Sequence, residues 1–78
     1  MRMKIPCVVI TFHTTAEAMK TEQICKANNL AGKLISAPRS LSADCGIAWR
    51  SPADTREELT SLLERSGVEV SGIYEMVM

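Results

Sequence analysis

The stretch Cys7–Phe12, CVVITF, decides the fold of this chain. It is rich in β-branched residues and almost continuously apolar, a pattern typical of a strand that is covered on at least one face. A strand of this kind belongs in the middle of its sheet rather than at an edge. We therefore expect Cys7–Phe12 to form the first strand and to lie centrally.

A capping box follows this strand and predicts a helix. Thr14 can cap the first turn, and Glu17 can reach back toward the Thr14 backbone. The helix is expected to run from Thr15 to Asn28, with Asn29 in the left-handed conformation that ends many helices. Its inner face would carry Ala18, Cys25 and either Met19 or Ile24.

Two further strands and a second helix follow from similar signals. Lys33–Ala37 predicts a short second strand that a proline stops, and Ile47–Arg50 predicts a third. Ser51 at the cap and Pro52 at the first helical position predict the start of the second helix.

A fourth strand completes the fold. It begins at Val68–Val70 and resumes at Ile73–Met76 after a bulge at Ser71 and Gly72. The order βαββαβ in this length is the ferredoxin-like arrangement, an α+β fold with a four-stranded antiparallel sheet and two helices on one face. Its usual strand order is four, one, three, two. The apolar first strand would then be central, and the more polar second and fourth strands would be the edges.

Composition limits the possible functions. The 78 residues fit one domain spanning residues 1–78. Nine basic and nine acidic residues balance to a net charge of zero, and single copies of Phe, Trp and Tyr leave little with which to stack bases. We expect neither nucleic acid nor a membrane as a partner. The start, MRMKIPCVVITF, has no small-residue cleavage site after its apolar part, so we expect a cytoplasmic protein with reduced thiols.

The connection Pro38–Gly46, PRSLSADCG, holds Cys45, one of three cysteines. Cys45 is either an ordinary loop thiol or a thiol that the connection presents to solvent. The expected topology places it near Phe12, His13 and Thr14, at the end of the sheet that carries the N-terminus of the first helix. The free N–H groups and the dipole at a helix N-terminus favour an anion, and a thiolate is such an anion.

Charged neighbours would tune this thiol. Arg39 is the candidate cation that would lower the pKa of Cys45, and His13 is a weaker one. Asp44 would oppose them, because it disfavours a second negative charge nearby. The alternative is that Arg39 is a solvated loop residue and His13 a capping neighbour.

The other two cysteines are expected to be small buried hydrophobes. Cys7 lies about 16 Å from Phe12 along a strand, and Cys25 lies about 15 Å down the first helix from Thr15. No two thiols are therefore expected within disulfide distance, and no CxxC pair is present to hold a metal. We expect neither a metal nor a cofactor.

Two short patterns resemble those of a known family. Phe12–Ala18, FHTTAEA, is similar to the family's Phe-x-Ser/Thr-Thr-x-x-Ala, and Pro38–Gly46 is similar to its Pro-Arg-x-Ile/Leu-Ser-x-x-Cys-Gly. With the closing GVEVSGIY, the chain resembles the small bacterial selenium/sulfur (Se/S) carrier protein-like family from about Val8 to Tyr74. It departs at Asn28 and Asn29, where relatives tend to end the first helix with Gly.

The resemblance implies that Cys45 carries sulfur or selenium as a persulfide or selenosulfide. The supporting residues of the connection and the helix N-terminus would be Arg39, Ser42, Asp44, Gly46, His13, Thr14 and Thr15. A carrier needs an accessible sulfur but no general base and no substrate pocket. We therefore expect a non-catalytic protein whose partners are donor and acceptor proteins.

Two other functions remain open. One is a small anion-binding or regulatory module without thiol chemistry, in which the Arg39 connection and the first helix hold an anion and a sheet edge forms a homodimer. The other is a thiol redox protein, which the distances between the cysteines disfavour unless two chains pair. A hydrolytic triad has no support, because there is one histidine and no serine in a nucleophile elbow.

Overall fold

The computed structural model describes residues 5–38, 41 and 46–77. These residues form an α+β fold with the expected βαββαβ order. The elements are β1 (Pro6–Thr11), α1 (Thr15–Ala27), β2 (Lys33–Ser36), β3 (Ile47–Pro52), a 3-10 turn (Ala53–Thr55), α2 (Arg56–Arg65) and β4 (Gly72–Val77). Of the helices in these residues, none is long and apolar enough to cross a membrane.

The four strands form one antiparallel sheet with the order β2-β3-β1-β4. This is the predicted order, with β1 in the centre and β2 and β4 at the edges. Thr11, the last residue of β1, lies opposite Ala48 on β3 and Gly72 on β4. The register therefore fixes which residues meet at each end of the sheet.

Both helices pack on the same face of the sheet. Val8 and Ile10 of β1, and Phe12 directly after it, are turned toward the helices and are fully buried. They pack in one cluster with the buried side chains of Trp49, Ala18, Cys25, Leu59 and Leu63. Each such large apolar side chain contributes about 1.5–3 kcal/mol when it is removed from water, so this face holds most of the core.

The opposite face of the sheet, here called the open face, carries a second and smaller cluster. Cys7, Val9 and Ala48 are buried there. The partly buried residues that pack against them are Ile35, Ala37, Leu41 and Met76. Strand β1 is thus covered on both faces, which accounts for its unbroken apolar sequence.

The ends of α1 confirm the sequence signals. The Thr14 hydroxyl accepts a hydrogen bond from the Glu17 N–H at 3.3 Å, and Asn29 has a φ of 57°. The Glu17 carboxylate, expected to reach back to Thr14, accepts a hydrogen bond from the Glu69 N–H at 3.1 Å. Since these two residues are 52 positions apart, no local pattern could have shown that contact.

The predicted start of the second helix is wrong. Ser51 is a buried residue of β3, and α2 begins only at Arg56. The Ser51 hydroxyl accepts a hydrogen bond from Trp49 Nε1 at 2.6 Å and donates one to the Ala31 carbonyl at 2.8 Å. These tertiary partners use the hydroxyl that the sequence pattern assigned to a helix cap.

The predicted start of the fourth strand is also wrong. β4 begins at Gly72, and Val68 instead packs into the core between α2 and the strand. Its N–H donates to the Leu63 carbonyl at 3.1 Å, so the alternating pattern there reflects the exit from α2.

Candidate functional site

The first part of the candidate site is the end of the sheet where β1 passes into α1. Phe12 is buried, and the next three residues, His13, Thr14 and Thr15, are exposed. The first turn of a helix leaves N–H groups without intrahelical partners, and the dipole makes that end positive. Among the described side chains, that of Thr14 caps one of these groups, and the exposed residues 13–15 place the positive end of α1 at the surface.

The connection between β2 and β3 reaches the same end of the sheet. The last residue pair of these strands is Ser36 and Ile47, and the Ala37 N–H donates to the Gly46 carbonyl at 3.0 Å. Thr11 on β1 lies opposite Ala48 on β3. His13 follows Thr11 by two residues and Gly46 precedes Ala48 by two, so both lie just beyond the same end of this antiparallel pair. The structure thus brings His13, Thr14, Thr15 and Gly46 to one end of the molecule.

Leu41 anchors the connection to the open face. Its side chain is half-buried against the cluster of Cys7, Val9 and Ala48, and its N–H donates to the Pro38 carbonyl at 2.9 Å. The sequence predicted a contact of the connection with the N-terminus of α1 but not this contact with the open face. A single large apolar residue in an otherwise polar segment is the feature that could have indicated it.

Four predicted site residues lie outside the described residues: Arg39, Ser42, Asp44 and Cys45. The thiol of Cys45, the cationic role of Arg39 and the opposing charge of Asp44 therefore stay predictions.

The other two cysteines are enclosed. Cys7 is 2% exposed and Cys25 is 0% exposed, and both are free thiols. Burial raises the pKa of Cys25 from 9.0 to about 11, because the core disfavours the charged thiolate. Cys25 therefore stays protonated at neutral pH and has no access to a partner protein.

A cavity lies at the opposite end of the sheet from Gly46. It is lined in part by Lys33 of β2 and Arg50 of β3, which the sequence analysis did not single out. The sequence shows one basic residue in each of these two strands. Only the pairing register of β2 and β3 shows that the two residues lie opposite each other. Within the described ranges, no group of three or more His, Cys, Asp or Glu residues could hold a metal ion.

The fold defines a small ferredoxin-like α+β domain, and the exposed helix end with the connection beside it forms the candidate site. The sequence model of the family described as "Putative Se/S carrier protein-like" matches residues 7–75. The chain belongs to this family. No curated protein and no solved structure matches it.

Proposed function

We propose that this protein carries sulfur or selenium on Cys45, as a persulfide or a selenosulfide. The observation that supports this most strongly is the burial of the other two thiols, Cys7 and Cys25. A carried atom must be reached by a donor protein and later by an acceptor, so its thiol has to be accessible. In a Se/S carrier-like protein with three cysteines, Cys45 is the one that remains.

The loading step is a thiolate attack on a donor persulfide. The Cys45 thiolate attacks the outer sulfur of a donor R–S–SH, the donor S–S bond breaks, and the donor leaves as the thiolate R–S⁻. The product is Cys45–S–SH, and no external oxidant is consumed because the transferred sulfur keeps its oxidation state. The same step with a donor R–S–SeH would give Cys45–S–SeH.

The positive end of α1 supports such chemistry. His13, Thr14 and Thr15 are exposed there, and Gly46, the residue after Cys45, lies at the same end of the sheet. A helix N-terminus stabilises a nearby thiolate and lowers its pKa. In this proposal Arg39 reinforces the effect, Asp44 weakens it, and Ser42 and Gly46 shape the connection.

The carrier is proposed to be non-catalytic, because its chemistry needs a presented sulfur and no proton-transfer residue. Its partners are then a sulfur or selenium donor protein and an acceptor protein, with no part for nucleic acid or a membrane. A cytoplasmic setting suits it, because reduced thiols persist there. An edge strand of the sheet is the proposed contact for a homodimer.

A loading experiment tests the proposal. The protein is incubated with a cysteine desulfurase and cysteine, and its intact mass is measured under non-reducing conditions. We expect the wild-type chain to gain the mass of one or more sulfur atoms and the Cys45→Ser variant to gain none. The Cys25→Ala variant is the matched control and should load like the wild type. A Cys45 that stays unloaded while it can still be alkylated would contradict the proposal.

The anion-binding module without thiol chemistry makes a different prediction. Its Cys45 would be alkylated at the same rate in the folded chain and in an unfolded peptide, because no feature of the fold would activate it. A carrier thiol at a helix N-terminus should react faster in the folded chain at neutral pH. The ratio of the two alkylation rates therefore separates the two functions.

A further inference from the structure

A cavity of about 290 Å³ lies between the start of β1, the segment that leads into β2, and the end of β3. Its volume is at the lower end of the range for ligand pockets, so it suits a small molecule. The cavity is at the end of the sheet opposite Gly46.

Two cations face each other in this cavity. Lys33 and Arg50 are directly opposite neighbours in the β2–β3 ladder, and both line the cavity. Like charges in directly opposite positions destabilise a sheet. Among the described residues, the lining contains no acidic side chain, and neither Lys33 nor Arg50 forms an ion pair. An anion between the two side chains would remove the repulsion.

The Arg50 side chain also has an unused donor. Its Nε is buried and has no hydrogen-bond partner among the described residues. This Nε has no solvent-accessible surface, so a molecule in the cavity would use the other donors of the guanidinium. A guanidinium offers its donors in a planar fork that matches a carboxylate, so a carboxylate in the cavity could accept from Arg50 and lie beside the Lys33 ammonium group.

The remainder of the cavity wall is mainly apolar. Ile5, Pro6 and Pro52 line it, and Ile5 is 54% exposed although it is a large hydrophobic residue. An inorganic anion would leave this apolar surface in water, whereas a molecule with a short hydrocarbon body would cover it. The wall thus has one region for a negative charge and another for an apolar group.

The cavity is held in shape by tight contacts behind it. The Ser51 hydroxyl joins the Ala31 carbonyl to Trp49 Nε1. Gly32 lies so close to β3 that a Cβ atom at this position would be 2.7 Å from the Arg50 carbonyl. A preformed site loses less free energy in ordering when it binds a ligand. Trp49 is also the single tryptophan, so its fluorescence reports on this region.

We propose that this cavity binds a small monocarboxylate with a short apolar body, with Arg50 and Lys33 holding the carboxylate. This binding proposal does not depend on the proposed carrier function.

The first test compares three probes that differ in one property each. Hexanoate has both a carboxylate and an apolar body, acetate lacks most of the body, and hexan-1-ol lacks the charge. We expect saturable binding of hexanoate, with NMR shifts at the amides of Gly32, Lys33 and Arg50 and a change in Trp49 fluorescence. Acetate and hexan-1-ol should each bind at least about tenfold more weakly, because each loses one set of contacts.

The second test changes the cations. Arg50→Gln and Lys33→Gln should each weaken hexanoate binding by about tenfold, as expected for the loss of a charge-assisted hydrogen bond. Lys20→Gln, which removes an exposed charge from α1, is the matched control and should leave the affinity unchanged. Circular dichroism establishes that each variant is folded before it is titrated.

Three results would overturn the proposal. They are the absence of saturable hexanoate binding at these amides, equal affinities for hexanoate and hexan-1-ol, and an unchanged affinity in folded Arg50→Gln. If Arg50→Gln fails to fold, the comparison of the three probes on the wild-type chain still decides the matter.

Discussion

The two ends of the sheet differ in how closely the chain is packed. At the end with the cavity, a Cβ atom on Gly32 would lie 2.6 Å from both Ser51 Oγ and Trp49 Cζ2. At the end with the connection, a Cβ atom on Gly46 would meet no described atom within 4 Å. Among the described residues, the chain is therefore packed more closely around Gly32 than around Gly46.

This difference in packing bears on two of the cysteines, Cys25 and Cys45. Cys25 lies near the end of α1 that leads to Gly32, and its carbonyl accepts from the Leu30 N–H at 2.9 Å. Tight packing there keeps the thiol buried and protonated. The neighbour of Gly46 is Cys45, which the proposed carrier function requires to be accessible.

The largest expected effect comes from Gly32→Ala. The new methyl group would clash with the Arg50 backbone at 2.7 Å as well as with two side chains, and the φ of 154° is unfavourable for alanine. Because backbone cannot move aside as a flexible side chain can, we expect the free energy of unfolding to fall by about 3 kcal/mol or more. Urea unfolding followed by circular dichroism measures this change.

The matched control is Gly46→Ala. Gly46 has a φ of 73°, and a Cβ atom there would meet no described residue within 4 Å, so of the described features only the backbone conformation opposes the new methyl group. We expect a loss of about 1 kcal/mol. If Gly46→Ala were as destabilising as Gly32→Ala, the contrast between the two ends would be wrong.

Ser51→Ala tests the hydrogen bonds at the end of the sheet that carries Gly32. The change leaves the buried Trp49 Nε1 without its acceptor, and we expect a loss of about 2 kcal/mol in the free energy of unfolding. Ser61→Ala on the exposed side of α2 is the control and should change little. In a Trp49→Phe background the Ser51→Ala change should be less costly. Equal costs in the two backgrounds would show that Ser51 does not act through Trp49.

Cys25 makes the free energy of unfolding depend on pH. Its pKa is raised from 9.0 to about 11, so between these values the folded chain keeps a proton that the unfolded chain has lost. The free energy of unfolding must then fall as pH rises through this window, by roughly 1 kcal/mol at about pH 10. The Cys25→Ala variant should lack this component. Wild-type and variant pH profiles that run parallel would contradict the assignment.

The smallest expected effect is that of Thr14→Ala, at the end of the sheet that carries Gly46. The change removes an exposed cap hydrogen bond to the Glu17 N–H, and we expect a loss of about 0.5–1 kcal/mol. Thr14→Ser keeps the hydroxyl and should retain most of the stability. Thermal unfolding of the three chains provides the comparison. If Thr14→Ala lost more free energy of unfolding than Ser51→Ala, the end of the sheet that carries Gly46 would be the more sensitive one, contrary to this prediction.

Much of the fold could be predicted because its signals are local. The apolar β1 strand, the Thr14 cap and the left-handed Asn29 act over a few residues, and the structure confirms them. Ser51 was misassigned because its partners, Trp49 and Ala31, become visible only after the strands pair. A serine before a proline gives the same local signal whether it caps a helix or lies buried in a strand.

The site could be predicted in part for the same reason. Topology alone predicted that the start of the third strand lies beside His13 and Thr14, and the structure has Gly46 at that end of the sheet. The Leu41 contact with the open face depends on packing between distant segments. The Lys33–Arg50 pair depends on the β2–β3 register, and a shift of one residue would place the two side chains on opposite faces.

The central claim is that Cys45, and neither buried thiol, accepts the transferred sulfur. The most direct measurement loads the wild-type chain with a desulfurase and limiting cysteine, blocks the thiols by alkylation, and compares the three cysteine-containing peptides by mass spectrometry. The account predicts the persulfide on the Cys45 peptide, with Cys7 and Cys25 alkylated only after unfolding. A persulfide on Cys7 or Cys25, or a Cys45 peptide that is alkylated without extra sulfur, would contradict it.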